Sequence, residues 1–207
     1  MEINRLFKMI SATTLAGIMF VGCGGGSSGG TSTAVTTPTA LTGTFIDAPV
    51  KGLHYKTATQ EGDTNDSGEF KYLSGEIIEF KLGNLSLGSV DADGLITPYT
   101  LAGDTDITNP SNKAVNIALL LQNFDTSRGD EILDASNLKD MDLSNFKLDD
   151  TLSDMEAKIS AKLADNGFVT TSKVGSTTLI NSDAAKTDMK KYVAQAKLTT
   201  SLVSNKT

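Results

Sequence analysis

The sequence predicts an α+β protein in which an N-terminal antiparallel β-sandwich is followed by about three packed α-helices. Short runs of alternating apolar and polar residues fill region 41–100, which indicates strands. Apolar residues recur at helical spacing in region 101–207. Residues 1–40 show neither pattern. The chain therefore divides into a leader, a linker, a β region and a helical region.

Residues 1–22 have the features of a secretory signal peptide. Arg5 and Lys8 give the segment a positive start, and a largely apolar run follows over residues 9–21. That run is too short to cross a bilayer, which needs about 20 residues. We expect the segment to be removed from the mature protein, which leaves 16 basic and 24 acidic residues and a net charge of −8.

The apolar run ends in Phe20-Val21-Gly22-Cys23, which resembles the lipobox of bacterial lipoproteins. Phe20 stands where that family usually has Leu. The resemblance implies that Cys23 is lipidated and becomes the new N-terminus, so that the lipid anchors the protein in a membrane. Gly24 follows, where inner-membrane lipoproteins usually have Asp, and this implies the outer membrane, facing either the periplasm or the outside. The alternative is an ordinary signal peptide with an incidental cysteine.

Cys23 begins a segment, 23–40, that is otherwise rich in Gly, Ser and Thr and has no charged residue. Such a composition predicts a flexible linker without hydrophobic periodicity. A phosphate-binding loop is excluded because no Gly-Lys-Ser/Thr follows the glycines. The folded body is therefore expected to begin at residue 41.

Five short runs in region 41–100 show the period of two of a strand with one buried face. Glycine, aspartate and asparagine separate the runs, as in Asp66-Ser67-Gly68 and Gly83-Asn84. This spacing predicts an antiparallel sandwich or barrel, and we favour the sandwich. The apolar residues expected to face inward are Phe45, Leu53, Tyr55, Phe70, Tyr72, Ile78, Phe80, Leu82, Leu85 and Leu87.

The first strand is followed by Pro49-Val50-Lys51-Gly52, and a later turn reads Asp66-Ser67-Gly68-Glu69-Phe70. These motifs resemble the turns of prealbumin-like modules of bacterial surface proteins, which include the carboxypeptidase-regulatory-like and Cna-B-type sandwiches. Asp63 or Asp66 supplies the aspartate of the second motif. In that family the module is a structural or stalk domain, so the resemblance implies no catalytic activity.

Three segments of region 101–207 predict helices. The first begins after Asn109-Pro110-Ser111, which supplies polar caps and an early proline. Its apolar residues cover most of its circumference, so we expect it to be buried against the sheet. The second helix spans about 151–164 and is stopped by Asn166-Gly167, and the third spans about 182–197.

Composition excludes several classes of function. The chain has 18 Lys and Arg against 25 Asp and Glu, a net charge of −7, and no basic cluster that could hold nucleic acid. The single Cys23 excludes an intrachain disulfide, and the single His54 excludes a multi-histidine metal site.

Asp63, Asn65 and Asp66 form the first candidate calcium site. Calcium prefers oxygen ligands, and Asp and Asn side chains around a glycine turn can supply them. An EF-hand loop would need an acidic residue at the twelfth position, where the sequence has Ser74. A hairpin turn with Gly68 at a positive φ explains the same residues, and we favour the turn.

Asp125 and Asp130 form the second candidate calcium site, in an acidic loop directly after the first helix. Ser127 and Glu131 offer further oxygens, whereas Arg128 opposes a cation by its like charge. A loop without metal is favoured here as well. We expect no other cofactor.

An enzyme is the less favoured interpretation. Paired carboxylates hydrolyse glycosides only in a cleft that holds them at a suitable separation. His54 lies on the outward phase of its strand, and the chain has no Gly-x-Ser-x-Gly motif for a serine nucleophile. A carboxylate-dependent hydrolase would require strongly raised carboxyl pKa values in one cleft.

These features predict a lipid-anchored lipoprotein of the outer membrane. Its body is expected to be a non-enzymatic structural or binding module for an envelope protein or a surface ligand. The alternative is an adhesin-like surface protein with calcium-stabilised loops.

Overall fold

The computed structural model describes residues 38–204 of the chain, and the side chains of residues 38–197. The predicted signal peptide, Cys23 and the linker up to residue 37 lie outside the described residues. Helices and strands are both present in the described part, which confirms the α+β class.

Within residues 38–204, eight strands precede the helices. The strands are β1 (Leu41–Phe45), β2 (Val50–Lys51), β3 (His54–Lys56), β4 (Glu61–Asp63), β5 (Glu69–Tyr72), β6 (Ile77–Leu82), β7 (Leu85–Asp91) and β8 (Leu95–Ile96). Five of them (β1, β3, β5, β6 and β7) lie where the alternating runs predict strands, whereas β2, β4 and β8 were not predicted. The remaining elements are α1 (Pro98–Ala102), α2 (Asn112–Asn123), β9 (Leu133–Asp134), a 3-10 turn (Ser136–Leu138), α3 (Leu152–Leu163), α4 (Asn166–Ser172) and α5 (Ser182–Ser204).

The strands form three sheets, with the orders β5-β1-β8, β4-β3-β6-β7 and β2-β9. Four of the six strand pairings are antiparallel, but β1 pairs with β8 and β2 pairs with β9 in parallel. The expectation of wholly antiparallel sheets was therefore wrong. In both parallel pairs the second strand returns after a long connection rather than a hairpin, and such a connection allows a parallel partner.

Aromatic rings join the two larger sheets. The Phe45 ring of β1 lies 4.9 Å from the Phe80 ring of β6, and the Phe70 ring of β5 lies 5.3 Å from the same ring. Offset and edge contacts at these distances are favourable beyond the area that they bury. The same core cluster continues into the helices through residues such as Leu119 and Met189. Among the described residues, those from Ala40 onward form one compact unit.

The helices begin where capping residues predict them. Ser111 caps α2 and Thr151 caps α3, each by accepting a bond from a backbone N–H of the first turn. Asn166-Gly167, which we expected only to stop a helix, lies at the start of α4. Asp165 caps that helix by accepting from the N–H groups of Gly167 and Phe168.

The helical region departs from the predicted three helices in two ways. Residues 38–204 contain five α-helices. The sequence did not predict α1 and α4, because these helices are too short to show a clear apolar period. The strand β9 also lies in this region, where it pairs with β2. We expected α2 to pack against the sheet, but its main neighbours are the helices α1, α3 and α5. It is α1 that packs against the sheet, at β7. None of these helices of the described part is long and apolar enough to span a membrane.

Candidate functional site

A cavity of about 210 Å³ lies between the β1–β2 turn, α2, the loop after α2, and α5. We call it the acidic cavity because five carboxylates line it, from Asp47, Asp125, Asp130, Glu131 and Asp188. Arg128 is the one basic residue among its lining residues. Ile132, Leu133 and Tyr192 supply part of its apolar wall. The cavity therefore combines an apolar surface with an excess of negative charge.

The small β2–β9 sheet brings the β1–β2 turn beside the loop after α2, and both of these segments line the cavity. A bridge between Ile46 and Pro49 closes a tight turn after β1, and Asp47 lies inside that turn. The Leu133 N–H donates to the Pro49 carbonyl at 2.9 Å, which places the loop after α2 beside the turn. Residues about 80 positions apart in the chain therefore share one site.

Asp47 is the chemically most unusual residue of the acidic cavity. Its side chain is fully buried, and its two carboxylate oxygens accept hydrogen bonds from Gln122 Nε2 at 3.3 and 3.1 Å. Burial raises the pKa of Asp47 from about 3.8 to about 7, the Gln122 bond opposes this rise, and the charge of Asp188 adds to it. Asp47 can therefore gain or lose its proton near neutral pH.

Gln122 leaves one polar atom of the cavity wall without a partner. Its Nε2 also donates to the Ala185 carbonyl at 3.4 Å, so the amide nitrogen lies among acceptors. Its Oε1 is buried and accepts no hydrogen bond from the residues that the structure describes. A buried acceptor without a donor costs about 1–3 kcal/mol. This atom therefore favours a donor supplied from outside the chain.

The loop after α2 is ordered by its own side chains. Asp125 Oδ1 accepts from the N–H groups of Ser127 at 3.0 Å and Asp134 at 2.9 Å. The pKa of Asp125 is raised because the side chain is buried, and these hydrogen bonds offset part of the rise. The Arg128 guanidinium donates to the carbonyls of Thr178 and Asn123. It is therefore held against the protein by neutral oxygens, and burial lowers its pKa.

Asp188 and Tyr192 of α5 complete the acidic cavity. Asp188 is exposed, and Tyr192 is half-buried. Burial raises the pKa of the Tyr192 hydroxyl, and the charges of Glu131 and Asp188 raise it further. Tyr192 thus lies in a field that disfavours additional negative charge. A positively charged group is the natural complement of this wall.

Asp63, Asn65 and Asp66 lie elsewhere: Asp63 ends β4, and Asn65 and Asp66 lie in the turn between β4 and β5. Asp63 Oδ1 lies 2.9 Å from His54 Nδ1, and Asp66 Oδ1 lies 2.9 Å from Lys51 Nζ. Asn65 Oδ1 accepts from the N–H groups of Ser67 and Glu69, both at 2.9 Å. These oxygens are therefore already occupied by basic side chains and backbone donors.

The predicted positive φ of Gly68 is confirmed, at 72°. The turn is not a hairpin, however, because β4 belongs to the four-stranded sheet and β5 to the three-stranded one. The chain crosses between sheets here, since β4 pairs with β3 while β5 pairs with β1. The local turn residues do not reveal which strand will be the partner.

Of the calcium candidates, Asp125 and Asp130 belong to the acidic cavity, whereas Asp63, Asn65 and Asp66 do not line it. Glu131 also lines the cavity. Within residues 38–204, no three acidic, histidine or cysteine side chains form a group that could hold a metal ion. Calcium binding by either loop stays a prediction that the structure does not test.

The sequence analysis missed the residues that make this cavity unusual, which are Asp47, Gln122, Asp188 and Tyr192. One signal was present: Gln122 and Asn123 interrupt the apolar run between Ile117 and Phe124. A buried polar residue requires a partner, so such an interruption indicates a polar site in the core. Neither family models nor curated proteins nor solved structures give a match to this chain.

Proposed function

We propose that this protein is a lipid-anchored lipoprotein of the bacterial outer membrane whose folded body is a non-enzymatic binding module of the cell envelope. The observation that carries this proposal is the position of Cys23. The single cysteine of the chain closes the apolar run in Phe20-Val21-Gly22-Cys23. A linker rich in Gly, Ser and Thr then separates it from the body, which begins near Ala40.

The proposal includes a prealbumin-like sandwich as the core of the body. The ring contacts between Phe45, Phe70 and Phe80, which bridge the two larger sheets, support this arrangement. The acidic cavity supports a binding role rather than a purely structural one, since a stalk domain has no need of a buried carboxylate beside an unpartnered acceptor.

The lipid anchor is tested by metabolic labelling with palmitate in a bacterial host. The wild-type chain is expected to incorporate label and to sediment with the outer membrane. Cys23→Ser is expected to lose both, because no sulfur remains to carry the lipid. Ser28→Ala in the linker serves as the control and should behave like the wild type. Equal labelling of Cys23→Ser and the wild type would contradict the proposal.

A carboxylate-dependent hydrolase is a second candidate, because the acidic cavity has the feature that such an enzyme requires. Burial raises the pKa of Asp47 to about 7, and the neighbouring Asp188 contributes to that rise. Asp47 would then supply a proton as a general acid. The test is a panel of aryl glycosides and esters. The rate of hydrolysis should fall above about pH 7, where Asp47 loses its proton, and should be lost in Asp47→Asn. This result would favour an enzyme over a binding module.

A further inference from the structure

Two buried acceptors lie side by side in the wall of the acidic cavity. Asp47 has no exposed surface, and Gln122 is 4% exposed. The Gln122 amide nitrogen must face Asp47 and the Ala185 carbonyl, because both are acceptors, and this fixes Oε1 as the atom without a partner. The amide oxygen has no donor, and the carboxylate, which accepts from Gln122 Nε2, can accept further hydrogen bonds.

The charge of the wall defines which donor fits best. Five carboxylates line the cavity against one guanidinium. The terminal nitrogens of that guanidinium donate to backbone carbonyls, and its buried Nε has no hydrogen-bond partner among the described residues. A cation is therefore favoured over a neutral donor or an anion. A metal ion is a poorer fit, because no three acidic side chains within the described part converge as ligands. An ammonium group needs only hydrogen-bond acceptors, which are present.

We propose that the acidic cavity binds a small primary amine, whose ammonium group donates to the Asp47 carboxylate and to Gln122 Oε1. The volume of about 210 Å³ corresponds to about seven water molecules, which limits the ligand to a short chain. Asp188 attracts the cation at the mouth, and the apolar wall formed by Ile132 and Leu133 contacts its carbon chain. Because Asp47 has no surface open to bulk water, the side chains at the mouth must move aside for the amine to enter.

This inference concerns the ligand of the folded body and does not depend on lipidation of Cys23. A failure of palmitate labelling leaves it intact, and a failure of amine binding leaves the lipid anchor intact.

The test uses the purified full chain and butylammonium, with butanol and butyrate as neutral and anionic probes of equal chain length. Calorimetric titration at about pH 8 should show binding of butylammonium alone. The affinity should fall about 30-fold at about pH 5.5, because Asp47 with a pKa of about 7 is then almost fully protonated whereas the amine stays charged. The titratable and charged groups around Asp47 are Tyr99 of α1, Asp188 and Tyr192 of α5, and Asp125, Arg128, Asp130 and Glu131 of the loop, and both tyrosines are neutral in this pH range.

Asp47→Asn should weaken butylammonium binding by at least about tenfold and remove its pH dependence. Gln122→Leu should weaken binding with the pH dependence retained. Asp183→Asn is the matched control, because it removes one negative charge from α5 at a residue that does not line the cavity. It should bind like the wild type.

Amide chemical shifts provide a second measurement that does not depend on variants. Butylammonium should shift the resonances of Asp47, Ala48, Gln122 and Tyr192, which line the cavity. Three results would overturn the proposal: equal binding of butanol, unchanged binding by Asp47→Asn, or shifts that appear only with calcium. An absence of any effect at millimolar amine would show that the cavity holds water alone and would also overturn it.

Discussion

At the scale of single residues, the burial of Asp47 sets how stability depends on pH. The unfolded carboxyl ionises near 3.8 and the folded one near 7, a difference of about 3 pKa units or about 4 kcal/mol. Because the folded pKa is the higher one, this contribution is fully present below the unfolded pKa and is lost as pH rises through about 7. The contribution of Asp47 to the free energy of unfolding should therefore fall between about pH 4 and pH 8.

Asp47→Asn should flatten this fall, because asparagine does not ionise. The measurement is urea denaturation at several pH values between these limits. Asp183→Asn, whose side chain is 90% exposed, should retain the slope of the wild type. A slope in Asp47→Asn equal to that of the wild type would show that Asp47 ionises normally in the folded protein.

Gly68 is a residue whose replacement should be costly for two separate reasons. Its φ is +72°, and an added Cβ would lie 2.5 Å from the Phe45 carbonyl oxygen. Gly75 has a φ of +85° with nothing within 4 Å of such a Cβ. We expect Gly75→Ala to lower the free energy of unfolding by about 1 kcal/mol and Gly68→Ala to lower it by at least about 2 kcal/mol more. Equal losses in thermal or urea denaturation would contradict the steric argument.

At the scale of elements, Asn123 links the end of α2 to the segment before α5. Its Nδ2 donates to the Ile180 carbonyl at 3.0 Å, and its Oδ1 accepts from the Ile180 N–H at 2.8 Å. Its Oδ1 also accepts from Arg128. Asn123 therefore fixes the positions of Ile180 and Arg128, both of which line the acidic cavity.

Asn123→Ala should lower the free energy of unfolding by about 2–4 kcal/mol, because the Ile180 N–H and carbonyl are left without partners in a partly buried place. Urea denaturation measures the loss. The exposed Asn145 provides the control, and Asn145→Ala should change stability by less than about 0.5 kcal/mol. An unchanged midpoint for Asn123→Ala would show that water replaces these bonds.

Elements with strong local signals were predictable from the sequence, and elements that depend on distant partners were not. Ser111 and Thr151 mark the starts of α2 and α3 through bonds within one helical turn. The two-residue strand β9 has no period of its own, and it is a strand only because β2 lies beside it. The same is true of β8, which pairs with β1.

At the scale of the whole molecule, calcium is expected to leave the stability of residues 41–207 unchanged. Asp63 and Asp66 are engaged by His54, Lys139 and Lys51 rather than free to bind a cation. Thermal melting in calcium and then in EDTA measures this. A ligand that binds only the folded state raises the melting temperature. A rise of several degrees in calcium would contradict our expectation and favour the adhesin-like alternative.

Local chemistry in the sequence determined the α+β class, the positions of the five alternating strands and the three longer helices, and the targeting prediction that rests on Cys23. Periodicity, caps and turn residues act over a few positions, so they can be interpreted without a structure. The acidic cavity was decided by the tertiary structure alone. Asp47, Gln122 and Asp188 become neighbours through the β2–β9 pairing and the packing of α5 on α2. The raised pKa of Asp47 follows from burial, which is a property of the assembled fold and not of any segment.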